Sequence, residues 1–104
     1  MKLNMYAIFD QAAKAYNSPF FMHNHGLAIR AFSDQVNSKQ ENQIANHPEQ
    51  FILFHIGSYD DSTGLIEQLE ISKSLGKGID FKEPDTEVSE LTTLLNDFRE
   101  RIRS

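Results

Sequence analysis

The chain has 104 residues, 39% hydrophobic and 11% aromatic, enough for one modest core and too short for two independent ones. Its formal net charge is −5, the reverse of the basic footprint left by proteins that hold nucleic acid mainly through phosphates. It contains no cysteine, which excludes a disulfide scaffold and thiolate metal sites.

The start of the chain, Met1 to Tyr6, has neither a long apolar run nor a small-residue cleavage pattern, and no stretch is long and apolar enough to cross a bilayer. A protein of a reducing cytoplasm, with no membrane partner, is the expectation. Acidity is concentrated late. Residues 1–50 hold four acids (Asp10, Asp34, Glu41, Glu49) against four bases (Lys2, Lys14, Arg30, Lys39), whereas residues 51–104 hold eleven acids and six bases. A local basic patch in the first half is compatible with this total.

In chain order, Leu3, Met5, Ala7 and Phe9 alternate with Asn4, Tyr6 and Ile8, a period of two that predicts a strand with one strongly apolar face, ending near Asp10. The Ala-rich stretch Gln11 to Tyr16 reads as a short helical turn stopped by Asn17-Ser18-Pro19, and Pro19 to Gly26 as a loop. Ala28, Ile29, Phe32 and Val36 fall at helical spacing, so Leu27 to Val36 is predicted to be an amphipathic helix with Arg30, Asp34 and Gln35 outward. Ser38 to His47 is polar and irregular. Phe51 to Ile56 and Leu65 to Ile71 read as strands of a hairpin joined across Ser58 to Gly64, and Ile79 to Phe81 as a short edge strand.

From Pro84 a last helix is predicted, with Val88, Leu91, Leu95, Phe98 and Ile102 stepping alternately by three and four. Acids at Asp85, Glu87 and Glu90 and bases at Arg99, Arg101 and Arg103 suit its dipole. This seam either packs on the chain's own sheet or pairs with a second copy in a homodimer. Two heptads are fewer than a sustained coiled coil needs. The expected fold is therefore α+β: a small antiparallel sheet of three to four strands, one covering helix and a C-terminal amphipathic helix. Residues 1–82 would form the domain and 83–104 a helical extension.

Chemistry-bearing groups are sparse. His23 and His25 stand two apart, with His47 and His55 elsewhere, but no carboxylate sits at a metal-ligand spacing. They read as solvated loop histidines, with His55 on the exposed face of its strand. Asp60-Asp61-Ser62-Thr63-Gly64 lacks the alternating acids and final Glu of a calcium loop and has the composition of a turn. Gly76-Lys77-Gly78 lacks the Walker spacing. No nucleophile, base and orienting group, and no carboxylate pair, stand out, so neither catalysis nor a cofactor or metal is expected.

The stretch around Tyr16 to Phe32 is more informative. Tyr16, Phe20 and Phe21 lie near Lys14 and Arg30 with Pro, Gly and polar residues between them. Aromatic faces beside cations are how single-stranded nucleic acid is held. A loop anchored in the core by one or both Phe rings explains the same residues. Exposure decides between the two.

Tyr6-Ala7-Ile8-Phe9-Asp10, Pro19-Phe20-Phe21, Gly26 through Asp34, His47-Pro48-Glu49, and Leu53-Phe54 through Gly57 to Asp60–Gly64 together resemble the small nonstructural protein of gokushovirus-like microviruses, isometric single-stranded DNA bacteriophages. The resemblance covers about Met1 to Phe81, with the residues from Lys82 onward as an unmatched extension. It implies an accessory of viral DNA replication in the host cytoplasm that binds single-stranded DNA during genome synthesis or packaging. On that reading Phe20 and Phe21, with Tyr16, stack on bases, and Lys14 and Arg30 meet phosphates. The acidic total favours an alternative, an oligomeric adaptor for a viral or host replication or capsid protein.

Overall fold

The computed structural model describes residues 1–84 together with residues 94, 95, 98 and 99. The first strand, β1 (Lys2–Asp10), is the one on which the sheet is assembled. Two short segments, β2 (Ala15–Tyr16) and β3 (Phe20–Met22), lie end to end along one side of it. After helix α1 (His25–Val36), the one-turn helix α2 (Gln43–Asn46) and a 3-10 turn at Pro48–Gln50, β4 (Phe51–Asp60) pairs with the other side of β1. The long strand β5 (Leu65–Lys77) pairs with β4, and the short helix α3 (Gly78–Phe81) follows. Every pairing is antiparallel, giving the order β2-β1-β4-β5 with β3 sharing the β2 edge. The α+β class and the covering helix stand as expected. The sheet has five strands because its first edge is made in two pieces.

Four local expectations are corrected. Ser38 to His47 is not all irregular, since Asn42 caps the one-turn helix α2, whose Ile44 is buried in the core. Gln11 to Tyr16 is not helical: the Asp10 carboxylate accepts from the Ala12 and Ala13 amides at 3.0 and 3.2 Å, Lys14 takes a φ of 55°, and the chain returns as β2. A short acid bonding its own turn outcompetes the helical propensity of two alanines that have no face to bury. Pro19 to Gly26 is not all loop, since Phe20–Met22 pairs with Asn4–Tyr6. Ile79 to Phe81 is helical rather than an edge strand, with the Asp80 carboxylate accepting from the Lys77 amide at 3.3 Å. The β4–β5 turn is also tighter than its composition suggests. Asp60 Oδ1 accepts from Ser62 N at 3.0 Å and Oγ at 2.6 Å, and Gly64 supplies a φ of 73°, so four residues close it.

Helix α1 begins at a cap, the Asn24 carboxamide accepting from the Leu27 amide at 2.9 Å. Its far end is tied to α3 by Asn37, whose Nδ2 donates to Ser33 O (3.0 Å) and Phe81 O (2.9 Å) while Oδ1 accepts from Glu83 N (2.8 Å). The core is Tyr6 and Ile8 of β1, Ala28, Phe32 and Val36 of α1, Ile44, and Phe51 and Leu53 of β4. Antiparallel register puts Tyr6 level with His55 and Phe20, and Ile8 level with Leu53. The helix therefore covers the even-numbered face of β1. The strongly apolar face, Leu3, Met5, Ala7 and Phe9, looks the other way, where no helix among the described residues covers it.

Of the C-terminal seam, Val88, Leu91 and Ile102 lie outside the described residues, and Leu95 and Phe98 are 57% and 62% exposed.

Candidate binding face

The uncovered face carries rings from four strands. Phe9 of β1 lies 4.8 Å from Tyr16 of β2 and 6.4 Å from Phe54 of β4, centroid to centroid, and Tyr16 lies 6.0 Å from Phe54. Further along the sheet, Phe21 of β3 packs at 5.6 Å from Tyr59 of β4. Between the two groups runs an open groove of about 430 Å³ floored by Met5, Ala7, Ile56 and Ile66 and edged by Asn17 and Gln68. The β-bulge that turns Ile56 into this groove falls where Met5 pairs with Gly57 and Tyr6 with His55. Tyr16 is 54% and Phe21 43% exposed. Rings this open on a sheet face leave apolar surface available to a ligand.

Adjacent strand residues point to opposite faces, and this divides the residues expected to act together. Tyr16 and Phe21 share the open face, and Lys14 stands in the turn leading into β2. Phe20 is on the helix side, half-buried and stacked on Tyr6 at 5.7 Å with 28° between ring planes. Arg30 is exposed on α1, also on that side. The Phe pair is thus divided, Phe20 packing on the helix side and Phe21 lying exposed on the other face. Phe9, Phe54 and Tyr59 were not singled out from the sequence. The signal was present in the odd-position alternation of β1, but naming the cross-strand partners requires the register.

On the helix side, His55 corrects the expectation of an exposed strand histidine. Its ring lies 5.3 Å from Tyr6 and 4.7 Å from His25, and its Nε2 is 2.9 Å from the Gly57 carbonyl. The Tyr6 hydroxyl and His25 Nδ1 are 2.7 Å apart, so His25 is not a free loop residue. Burial pushes the Tyr6 phenol above its usual range, against a hydrogen bond from Asn4 that lowers it. Burial likewise holds His55 below the ordinary imidazole value, helped by the nearby His25. Among the described residues no three His, Cys, Asp or Glu side chains converge as a metal site. A second cavity, about 760 Å³, opens between the β2–β3 edge and α1, walled by Ile8, Phe20, Ala31 and Phe32 with Asn17, Ser18 and Gln35 at its mouth. No carboxylate, histidine or lysine lines it.

A half-covered antiparallel sheet with an open aromatic face defines a small α+β protein. The chain belongs to the Phage ORF5 protein family, which it matches over residues 3–81, and is therefore a bacteriophage protein. That span runs from the second residue of β1 to the end of α3. No curated protein and no solved structure matches the chain. No helix among the described residues is long and apolar enough to cross a membrane.

Proposed function

We propose that this is a non-enzymatic accessory protein of gokushovirus-like microviruses that acts in viral DNA replication in the host cytoplasm by binding single-stranded DNA on its open sheet face. The observation that carries the reading is the exposure of Tyr16 and Phe21 on one face, backed by Phe9, Phe54 and Tyr59. Each base stacked on such a ring is worth about 1–3 kcal/mol and needs no particular sequence. Lys14 beside Tyr16, and Lys77, which shares a row across the sheet with Phe9 and Ile52, supply cations at one end of the face. With a net charge of −5, stacking rather than phosphate neutralisation dominates, and affinity is modest and falls with salt.

The test is fluorescence-anisotropy binding to a labelled single-stranded oligonucleotide at low and moderate salt. Tyr16→Ala/Phe21→Ala is expected to weaken binding by about a hundredfold, two rings at about tenfold each. Phe20→Ala/Arg30→Ala, on the other side of the sheet, is expected to change it little. Absence of binding by the native chain at low salt overturns the reading.

A second reading, an acidic adaptor that forms homodimers and holds a viral or host replication or capsid protein, is favoured by the exposed Leu65, Ile66 and Ile71 of β5 and by the exposed Leu95 and Phe98. Concentration-dependent dimerisation without DNA binding is its expected signature.

A further inference from the structure

Away from the open face, three rings from three segments meet where α1 is pinned to the sheet. Tyr6, fully buried on β1, reaches His25 Nδ1 with its hydroxyl at 2.7 Å, and the His25 ring lies 4.7 Å from His55 of β4. His25 is the first residue of α1, whose first turn contains no acid. The titratable groups facing His55 are Tyr6 from β1, His25 from α1 and Lys73, its cross-strand partner on β5. No carboxylate pairs with His25 or His55 among the described residues. A positive charge here meets a second imidazole, an ammonium group and the positive end of a helix dipole.

We propose that Tyr6, His25 and His55 form a proton-sensitive clasp that holds the first turn of α1 on the sheet while the His55 imidazole is neutral and releases it when His55 is protonated. The bond to the Tyr6 hydroxyl fixes the His25 ring 4.7 Å from His55, so a charge gained by His55 is held against that ring and beside the Lys73 ammonium group. Burial and His25 hold the His55 pKa below its ordinary 6.5. The fold therefore favours neutral His55. Its contribution is complete above that value and is lost as pH falls through the lower folded one.

The test is amide hydrogen exchange on the full chain between pH 7.5 and 5.5, corrected for intrinsic rates, with an NMR titration of the histidine rings alongside. Leu27 and Ala28 amides, both bonded to Asn24, are expected to lose protection by about tenfold for each unit separating the folded and unfolded His55 titrations, while β1 and β4 amides keep theirs. His55→Phe is expected to abolish the pH dependence, and His23→Gln and His47→Gln to leave it intact. Protection of α1 that is flat with pH in the native chain overturns the proposal, as does an unchanged dependence in His55→Phe. Should His55→Phe not fold, the native-chain exchange and titration decide: rings that titrate while α1 stays protected overturn it.

Discussion

Asn37 shows how much of this fold hangs on single polar side chains. Its carboxamide makes three bonds at once, to Ser33 O, Phe81 O and Glu83 N, and so joins the end of α1 to α3. Replacing it with Ala removes the partner of the part-buried Phe81 carbonyl and of the exposed Glu83 amide, while Ser33 O keeps the Asn37 backbone amide, at a cost of about 1–3 kcal/mol. Asn37→Ala is accordingly expected to lower the urea midpoint with an unchanged slope. The Asn24 and Asn42 caps, each accepting from an amide three residues on, fit the common grammar of helix starts. Asn37 does not, because its partner lies 44 residues away. Its sequence neighbourhood looks merely polar, and the distant docking of α3 is what gives it a role. His55 was illegible for a related reason: alternation locates it on a face, but only the placement of α1 determines which face is covered.

At the level of elements, β4 and β5 approach so closely at Gly57 that a Cβ there would collide with the Glu67 carbonyl oxygen. Backbone cannot yield as a flexible side-chain tip can. Gly57→Ala is expected to cost about 1–3 kcal/mol, read as a lower thermal midpoint, and to disturb the bulge that aims Ile56 into the groove. Strands β1 and β5 and helix α1 were legible from periodicity, since each is long enough to repeat its pattern, and β4 from the almost wholly apolar run Phe51 to Ile56. The elements misread, β2, β3, α2 and α3, span two to four residues and repeat nothing. They exist because partners far along the chain complete them: β1 supplies the hydrogen bonds of β2 and β3, and Asn37 meets α3. The candidate face was half legible. Tyr16 and Phe21 were recognised by type, whereas Phe20 and Arg30 were grouped with them by nearness in sequence, which a strand's alternation cancels.

Taken whole, the molecule places all its buried apolar side chains between Tyr6 and Leu53 among the described residues. A chain ending at Pro84 retains that core, both hairpin strands and the Asn37 staple. It is expected to unfold cooperatively at nearly the full-length temperature, by calorimetry. Marked loss of stability on this truncation would mean that the last twenty residues complete the fold, a role the core does not require of them.

The edge built from β2 and β3 bears on how these molecules behave when crowded. Between the two pieces, Asn17, Ser18 and Pro19 break the run of backbone donors and acceptors that an intruding strand would need, and proline has no amide to offer. The opposite border, β5, is kinked by pairing irregularities beside His55 and Gly57. Neither border offers an uninterrupted straight template, so both edges disfavour strand-by-strand pairing between copies while the aromatic face stays open.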